Sequence, residues 1–502
     1  MNAYIIKSIG LAGLNGFDVI VETSITNGLP AFVIVGLPDN SVQESRERVR
    51  AVIKNLGYEF PMRRILVNLA PADTRKEGSI YDLPIALAVL IASGQITPAA
   101  EDSVFAGELS LDGKLRPVAG MLPMALSARD SGAKALFAPK DSAAEASLAR
   151  GLAVYAADHI SEIIDHLNGA GEICPAEECQ PLFSEAKGLD FSDIKGQAAA
   201  RRAIEIAVSG AHNMLLSGTA GGGKSMMVKR IPSILPPMTM EEMIETTAIH
   251  SVAGLTSKSN PLVRQRPFRS PHHTISAAGA AGGGKTPKPG EMSLSHNGVL
   301  FLDEFPEFRR DVLESLRQPM EDGYVTITRA NRSYKYPSGF MLVGAMNPCK
   351  CGWHGHPSGK CVCSEESIKN YMMRISGPIL DRIDLFVNVP PVKYAELTSV
   401  SEAETSEKIR DRVVRTRELQ MSRQGTTNSR LMGGLMKTYC GISREGELMM
   451  KSAYEKFSLS ARAYSKIIKV ARTIADMSGS PDIETEHLAE AIQYRRSGTL
   501  LV

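Results

Sequence analysis

A glycine-rich pattern that occurs twice constrains the fold of this chain more than any other feature. The pattern G-x-x-x-x-G-K-[ST] matches residues 218–225 (GTAGGGKS) and residues 279–286 (GAAGGGKT). Such a loop binds phosphate when it follows a buried strand and opens a helix, because loop amides and the helix N-terminus together supply positive potential. The first copy follows a strand-like run and leads into residues 225–235, where we predict a helix. The second copy precedes Pro287 and Pro289, which prevent a helix, so we predict a phosphate-binding loop at the first copy alone.

The first copy supplies the groups that bind a nucleoside triphosphate. Lys224 would reach the β- and γ-phosphates, and the Ser225 hydroxyl would be a ligand of Mg²⁺. We therefore predict ATP and Mg²⁺ as ligands. The predicted nucleotide-binding residues of the loop are Gly218, Thr219, Ala220, Gly221, Gly222, Gly223, Lys224 and Ser225.

Two carboxylates follow a second strongly apolar run. Residues 298–304 read GVLFLDE, which is typical of a buried parallel strand that ends in an acidic pair. Asp303 would hold the water shell of Mg²⁺, and Glu304 would polarise the attacking water. Such a pair is common by itself, but after a phosphate-binding loop it predicts ATP hydrolysis.

A third strand pattern ends in a neutral polar residue. Residues 340–346 are apolar, and Asn347 follows them directly. The Asn347 amide would contact the γ-phosphate or the attacking water. The alternative is an ordinary turn asparagine before Pro348.

The segment before this third strand predicts a β-hairpin with a basic tip. Residues 323–337 (GYVTITRANRSYKYP) contain two β-like runs around a polar turn. Arg329, Arg332 and Lys335 would face a polyanion such as DNA. The alternative is a solvated hairpin whose charged edges prevent aggregation.

Four of the seven cysteines crowd into one short segment. The odd total and the crowding suit a reducing compartment and a metal site better than a disulfide framework. Four thiolates suit tetrahedral Zn²⁺, and we favour a structural zinc over the alternative of free thiols, although the C-x-C spacing is tighter than usual. The four predicted ligands are Cys349, Cys351, Cys361 and Cys363.

Length and composition exclude several classes of protein. At 502 residues the chain is too long for one hydrophobic core, and 43% hydrophobic with 22% charged residues is ordinary for a globular protein. Its 57 basic and 55 acidic residues give a net charge of +2, so any polyanion-binding surface must be local. The N-terminus lacks the pattern of a signal peptide, and the longest apolar stretch, residues 83–92, is too short to span a bilayer. We expect a cytoplasmic protein without membrane contact.

Changes in residue pattern along the chain predict an α/β multidomain protein. Residues 1–170 alternate strand-like runs with helical patterns, and residues 171–189 combine weak periodicity with breakers, which indicates a linker. Residues 190–392 form a second α/β block around a parallel sheet. Residues 393–502 carry helical spacing with few strand signals, which predicts a helical domain.

Five stretches of the chain carry a specific resemblance to a known family. They are RPFRSPHHTISAAG (266–279), GEMSLSHNGVLFLDEFPEF (290–308), GAMNPCKCG (344–352), SGPILDRIDLFV (376–387) and LSARAYSKIIKVARTIADM (459–477). With them, the whole chain resembles the magnesium-chelatase-related AAA+ proteins of the competence protein ComM (YifB) family. The resemblance implies a P-loop AAA+ core followed by a C-terminal α-helical lid, and a hairpin that projects into a ring pore. Thr219 and Ala220 stand where this family commonly has prolines.

The resemblance also assigns two arginines. Arg382, in ILDRIDL, would be an arginine finger that reaches the γ-phosphate of a neighbouring chain, and Arg462, in LSARAY, would be a second sensor that touches nucleotide from the lid. The alternative for both is a surface ion pair. A finger donated in trans implies a head-to-tail ring, so we expect a homo-hexamer.

The N-terminal domain resembles the proteolytic domain of Lon, an α/β fold like domain 2 of ribosomal protein S5. Residues 76–86 and 107–132 carry this resemblance. Ile80 and Leu122 stand where Lon has its catalytic serine and lysine, and the neighbouring Ser79 is offset by one residue. We therefore expect a scaffold or substrate-docking domain without peptidase activity.

The resemblance implies a motor that acts on single-stranded or branched DNA. We expect a branch-migration helicase in natural transformation or homologous recombination, which binds DNA through phosphate contacts and works with recombination proteins. The alternative is a chaperone-like motor that remodels a protein partner, as magnesium chelatase does.

Overall fold

The computed structural model describes residues 3–177, 188–284, 287–329, 332–392 and 404–499. The chain divides into two compact units. One contains residues 1–183, 240–264 and 328–336, and the other contains residues 184–239, 265–327 and 337–502. Most of the predicted linker, residues 178–187, and the predicted hairpin tip at residues 330–331 lie outside the described residues.

A mixed sheet forms the centre of the first unit. Its strands, with a short separate pair formed by β6 and β7, are β1 (Tyr4–Ala12), β2 (Asn15–Thr26), β3 (Ala31–Val35), β4 (Arg64–Ala70), β5 (Ser103–Phe105), β6 (Glu108–Leu109), β7 (Leu115–Arg116), β8 (Ala135–Pro139) and β9 (Ala153–Ala157). The seven strands of the sheet run in the order β3-β4-β2-β1-β5-β8-β9. The pairs β1–β2 and β2–β4 are antiparallel, and the other neighbours are parallel.

Five helices pack on this sheet. They are α1 (Asn40–Asn55), α2 (Asp82–Ala92), α3 (Met121–Asp130), α4 (Lys140–Ala146) and α5 (Ile160–Asn168). Asp39 caps α1, since its side chain accepts a hydrogen bond from the Val42 N–H at 2.8 Å. Helix α2 (DLPIALAVLIA) is apolar on every side, and it is accordingly buried along nearly its whole length. The alternation of strands and helices that the sequence predicts for this region is confirmed.

A parallel sheet forms the centre of the second unit. Strands in this part of the chain are β10 (Met214–Gly218), β11 (Phe268–Arg269), β12 (Gly282–Gly283), β13 (Lys288–Pro289), β14 (Val299–Leu302), β15 (Tyr324–Arg329), β16 (Arg332–Pro337), β17 (Met341–Met346) and β18 (Leu385–Val389). Five of them form the all-parallel sheet β11-β14-β17-β10-β18. Its central strands are buried on both faces, which explains their continuous apolar runs.

The strand order decides where the site forms. Strand β17 lies between β10 and β14, although it follows both in the chain. The carboxyl ends of parallel strands meet at one edge of a sheet, where ligands of open α/β sheets bind. The residues that follow β10, β14 and β17 are therefore neighbours at this edge.

The helices that follow residue 190 are mostly short up to the last strand of the sheet, β18, and mostly longer after it. They are α6 (Ala198–Gly210), α7 (Lys224–Val228), α8 (Met240–Val252), α9 (Ala277–Ala281), α10 (Glu291–Leu294), α11 (Arg310–Ser315), α12 (Arg317–Asp322), α13 (Glu365–Met372), α14 (Gly377–Leu380), α15 (Ser406–Gln424), α16 (Gly433–Tyr439), α17 (Arg444–Lys456), α18 (Ala461–Ser478) and α19 (Thr485–Thr499). The helical C-terminal region expected from the sequence is confirmed. Helices α15 and α18 share one hydrophobic core with the sheet, and this core includes Ile409, Ile467 and Leu385.

The helix after the phosphate loop is shorter than the sequence predicts. We predict a helix over residues 225–235, but α7 ends at Val228 and a 3₁₀ turn, Ile231–Ile234, follows. Pro232 explains the difference, because a proline ring at this position clashes with the carbonyl of residue 228 in a continuous α-helix.

Helix α8 belongs to the first unit, although it lies between β10 and β11 in the chain. It packs on α3, and the Gly120 N–H donates to the Ser251 carbonyl at 3.1 Å. Across the described part of the chain, none of the helices combines the length and the apolar character that a bilayer-spanning segment needs.

Candidate active site and metal site

The backbone of the first glycine-rich loop requires glycine at three positions. A Cβ on Gly218 would lie 2.2 Å from the Val389 carbonyl oxygen, so β10 and β18 approach too closely there for a side chain. Gly221 and Gly223 adopt φ of +78° and +81°, the left-handed region that favours glycine. The loop leads from β10 into α7, the strand-to-helix context that the sequence predicts.

The loop lysine is held inside its own loop. The Lys224 ammonium donates to the carbonyl oxygens of Gly218 at 2.6 Å and Thr219 at 2.9 Å, and to Asn347 Oδ1 at 3.1 Å. Burial lowers the pKa of Lys224, because removing the ammonium from water disfavours its charged form. The cation is thus positioned beside the loop amides, where phosphate oxygens would replace part of its lost hydration.

Two oxygen ligands that suit Mg²⁺ meet next to the lysine. The Ser225 hydroxyl donates to Asp303 Oδ2 at 2.6 Å, and Asp303 Oδ1 accepts from the Glu304 N–H at 3.0 Å. Mg²⁺ prefers oxygen ligands and keeps several waters beside one or two protein groups, so this hydroxyl and carboxylate fit the ion.

Glu304 stands in an unusual backbone conformation. Its φ of +53° is in the left-handed region, which is uncommon for a residue with a side chain and occurs at functional sites. Its carboxylate is more than half exposed, and Oε2 lies 3.2 Å from His273 Nδ1. His273 packs edge-on against Phe308. Sequence reasoning assigned His273 no role, although it belongs to the motif RSPHH that carries part of the family resemblance.

The loop from Ala220 onward, the acidic pair and Asn347 line one cavity of about 290 Å³ at the carboxyl edge of the sheet. The acidic pair comes from the end of β14 and Asn347 from the end of β17, while the loop comes from the end of β10. Most of the predicted nucleotide site therefore converges. The lining residues are Ala220, Gly221, Gly222, Gly223, Lys224, Ser225, Met226, Asp303, Glu304, Met346 and Asn347.

The two assigned arginines converge on a carboxylate instead of this cavity. Arg382 Nη2 lies 2.6 Å from Glu321 Oε1, and Arg462 Nη2 lies 3.6 Å from the same oxygen. The Arg382 guanidinium holds the pKa of Glu321 below its ordinary value. Arg382 is almost fully buried, whereas Arg462 is 62% exposed. No sequence signal marked Glu321, which lies near the end of α12.

The second glycine-rich copy has a different structure where it is described. Gly279 lies inside α9, and Gly282 and Gly283 form β12, which pairs antiparallel with β13. Over residues 279–284 the copy thus follows no strand and opens no helix.

The hairpin expected at residues 323–337 is present. Strands β15 and β16 pair as a two-stranded sheet, and the hydroxyls of Thr328 and Ser333 lie 3.0 Å apart. Lys335 is exposed, and the side chains of Arg329 and Arg332 lie outside the described structure.

The two positions that the sequence resemblance aligns with the Lon dyad hold buried apolar side chains. Ile80 and Leu122 are 7% and 0% exposed. The neighbouring Ser79 hydroxyl donates to the Glu108 carboxylate. A carboxylate in that position disfavours ionisation of the hydroxyl, whereas the lysine of a dyad promotes it.

The four clustered cysteines converge on one point. Their Sγ atoms all lie within 4.8 Å of one another, with separations of 3.3 Å for Cys349–Cys351, 3.8 Å for Cys349–Cys361 and 3.7 Å for Cys351–Cys361. Four sulfurs bound tetrahedrally at about 2.3 Å from Zn²⁺ lie about 3.8 Å apart, whereas a disulfide joins sulfurs at about 2.05 Å. The geometry thus suits a metal ion.

Local hydrogen bonds act on two of these thiols. The backbone N–H of Trp353, together with the Cys349 thiol, lowers the pKa of Cys351 to about 6. The His354 N–H points at Cys349 Sγ, 3.4 Å away. Since the thiolate is the form that binds metal, these two contacts favour metal binding at Cys349 and Cys351. Although a backbone hydrogen bond to each thiol opposes the shift, burial and the neighbouring thiols raise the pKa of Cys361, to about 11, and that of Cys363.

Comparison with known proteins gives matches along most of the chain. The family described as magnesium chelatase, subunit ChlI, matches residues 190–397. Models described as subunit ChlI of Mg-chelatase and as the subunit ChlI C-terminal region match residues 21–142 and 403–495.

Curated relatives match the chain from end to end, among them two that are 41% identical to it. Competence protein ComM of Haemophilus influenzae is 41% identical over 507 residues, which cover 100% of this chain and 99% of ComM. YifB of Escherichia coli is 41% identical over 506 residues, with the same coverage. The magnesium-chelatase 67 kDa subunit of Heliobacterium mobile is 24% identical over 40% of this chain and 34% of its own length. The chain therefore belongs to the ComM and YifB family of magnesium-chelatase-related AAA+ proteins.

Proposed function

We propose that this protein is an ATP-hydrolysing motor that assembles as a homo-hexameric ring and acts on DNA. The observation that carries the ATPase is the convergence of Lys224, Asp303 and Asn347 in one polar cavity at the end of three parallel strands. These side chains come from separate parts of the chain, and a chance glycine-rich turn would not bring them together.

The residues of the cavity divide the chemistry between them. The loop amides and Lys224 would bind the phosphates, while Ser225 and Asp303 would hold Mg²⁺. Mg²⁺ bound there would supply charge neutralisation for the phosphates. Asn347 would sit beside the γ-phosphate, because it already contacts Lys224.

Glu304 orients the attacking water. Its exposed carboxylate lies at the rim of the cavity, and the contact with His273 restricts its direction. The strained backbone at Glu304 supports the same role, since left-handed conformations persist where surrounding structure requires them. Glu304 thereby aligns a water with the γ-phosphate.

The site is completed by a neighbouring chain. Arg382 and Arg462 lie together on Glu321, and neither is among the described residues that line the cavity of their own chain. We infer that Arg382 presents its cation to the γ-phosphate of the next protomer, and that Arg462 contacts nucleotide from the lid. A contact of this head-to-tail kind generates a ring when its rotation closes, and we propose six protomers.

DNA is the proposed substrate of the motor. The hairpin β15–β16 carries Arg329 and Arg332 at its strand ends and an exposed Lys335, while the net charge of the whole chain is only +2. Such a local group of cations binds phosphates without reading sequence. The name of the Haemophilus relative associates it with competence, so we propose branch migration on single-stranded or branched DNA during transformation or recombination, in the cytoplasm and with recombination proteins as partners.

A protein-remodelling motor is the second candidate. The magnesium chelatase family models favour it, since they match all three parts of the chain. The N-terminal unit, with Ile80 and Leu122 in place of the Lon dyad, would then dock a protein partner. In either case we propose that this unit is a scaffold without peptidase activity.

Stimulation of ATP hydrolysis by DNA separates the two candidates. We expect single-stranded or forked DNA to raise turnover, and the double variant Arg329→Gln/Arg332→Gln to lose that stimulation while its basal rate stays. Arg309→Gln is the matched control, because Arg309 is exposed, lies outside the hairpin and pairs with Asp311. Unchanged turnover on every DNA tested would remove the DNA proposal and favour a protein partner.

We also propose that the cysteine cluster holds a structural Zn²⁺. Four thiols with separations that suit tetrahedral coordination support this cofactor. Elemental analysis of protein purified without chelators should find one zinc per chain, and protein that contains none would contradict it.

A further inference from the structure

A backbone hydrogen bond joins the cysteine cluster to the phosphate-binding loop. The Ala220 N–H, inside the loop, donates to the Gly352 carbonyl oxygen at 3.0 Å. Gly352 directly follows Cys351, so the acceptor is covalently next to a thiol of the cluster. The two sites are therefore in direct contact.

The contact is also tightly packed. A Cβ on Gly352 would lie 3.1 Å from the Ala220 Cβ and 3.7 Å from the Asn347 Cγ, and Gly352 has φ +81°. A larger residue would both strain the backbone there and press on the loop. The turn at Gly352 thus fits against the loop and against Asn347 at once.

A second hydrogen bond ties the same two segments together. Lys224 at the end of the loop donates to Asn347, two residues before Cys349. The segment 347–352 therefore contacts the loop at both ends, through Asn347 and through Gly352. Cys349 is fully buried within this segment, and its Sγ lies within 4 Å of those of Cys351 and Cys361.

We propose that Zn²⁺ bound by the four cysteines sets the affinity of the phosphate-binding loop for nucleotide, by fixing the Gly352 carbonyl to which Ala220 donates. The proposal rests on the proposed ATPase function of the loop. A bound metal joins two C-x-C pairs that are otherwise separate, so it restricts the turn at Gly352. Without metal the turn has more conformations, and the loop loses a fixed partner before nucleotide binds.

Removal and return of zinc on the full-length chain tests the proposal first. Zinc is removed with a chelator and measured by elemental analysis, and the dissociation constant of a fluorescent ATP analogue is measured with Mg²⁺ present after the chelator is dialysed away. We expect binding about fivefold to tenfold weaker without zinc, which is the loss of roughly one backbone hydrogen bond, and recovery when zinc alone is added. Equal affinity with and without zinc would overturn the proposal.

Two variants separate the metal from its contact with the loop. Cys361→Ser/Cys363→Ser should lose zinc and bind the analogue as weakly as the zinc-free chain. Gly352→Ala keeps all four thiols, so it should retain zinc and still bind nucleotide more weakly. Cys174→Ser is the matched control, since Cys174 is an exposed thiol outside the cluster, and it should retain both zinc and affinity.

The outcomes distinguish this proposal from the function on which it rests. If the wild-type chain with zinc bound no ATP analogue, the ATPase proposal would fail, and the proposal that zinc sets nucleotide affinity would fail with it. If the wild-type chain bound the analogue and Gly352→Ala bound it equally well, the ATPase would stand and the route through Gly352 would be wrong. Circular dichroism of each variant identifies any loss of affinity that is caused by unfolding.

Discussion

Lys224 donates a hydrogen bond to Asn347 across 123 positions of sequence, with Nζ and Oδ1 3.1 Å apart. The contact exists because β17 inserts between β10 and β14 in the sheet. As a result Asn347 stands between the phosphate loop and the acidic pair that ends β14, where a γ-phosphate would lie.

Asn347→Ala should lower the turnover of ATP about tenfold to hundredfold with a small effect on nucleotide affinity, because the amide contacts charge that develops in the transition state. Asn347→Asp should be worse, since it places a carboxylate beside the γ-phosphate. Steady-state rates and analogue binding measured on both variants test this order. An alanine variant with wild-type turnover would return Asn347 to the role of an ordinary turn residue.

Glu304→Gln should bind ATP and Mg²⁺ normally while hydrolysis falls at least about a hundredfold, because an amide does not polarise water as a carboxylate does. Nucleotide binding and phosphate release are measured on the same preparation. Glu307→Gln is a suitable control, as Glu307 is three residues further on and pairs with Arg374. Normal hydrolysis by Glu304→Gln would assign the water to another residue.

Arg382→Ala and Lys224→Ala should each be inactive, and a mixture of the two should regain ATP hydrolysis. In a mixed ring, a chain with Lys224→Ala still donates Arg382 to a neighbour whose own phosphate loop is intact. An arginine finger contributes about a thousandfold or more, so the recovered rate should be easy to detect.

A mixture of Lys224→Ala with Glu304→Gln gives the comparison, because both changes damage the same cavity and no intact site can form. Recovery in that mixture as well, or no recovery in the first one, would contradict donation of Arg382 in trans.

Glu145 should make the first unit less stable as pH rises. Its buried carboxylate accepts from the Leu122 N–H and the Thr256 hydroxyl, both at 2.7 Å, and from the Ser251 hydroxyl, yet burial raises the pKa of Glu145. A carboxyl whose pKa is raised by folding stabilises below its unfolded pKa, and this stabilisation is lost as pH rises through the folded pKa.

Glu145→Gln does not titrate, so its melting temperature should gain on that of the wild type by a few degrees as pH rises from acid to neutral. Thermal unfolding by circular dichroism across this pH range measures the difference. Glu101→Gln, an exposed carboxylate in the same unit, should show no such trend. A constant difference for Glu145→Gln would mean that Glu145 does not change charge over this range.

Local patterns predicted the parts of the site that depend on one strand and the turn after it. The loop at Gly218, the acidic pair at Asp303 and the position of Asn347 all follow from apolar runs that end in a characteristic residue. Ile80 and Leu122 were identified in the same way, by their places in short motifs.

Contacts between distant segments could not be predicted from these patterns. His273 reaches Glu304, and Glu321 holds two arginines, because of the packing of loops and short helices that carry no periodic signal. The difference in the length of α7 has a local cause, because Pro232 ends a helix that the surrounding residues favour. The hydrogen bond from the Ala220 N–H to the Gly352 carbonyl could not be predicted either, because the sequence does not distinguish Gly352 from the other residues of the cysteine segment.

Residues 240–264 belong to the first unit although they follow the phosphate loop in the chain, and this affects the order of folding during synthesis on the ribosome. The carboxylate of Glu145 is buried against Ser251 and Thr256, which emerge after the phosphate loop has been made. The N-terminal half therefore cannot complete its interior before the nucleotide-binding half has begun to form. Domains usually mature one after another as a chain emerges, whereas here the first unit cannot be completed until part of the second has been synthesised.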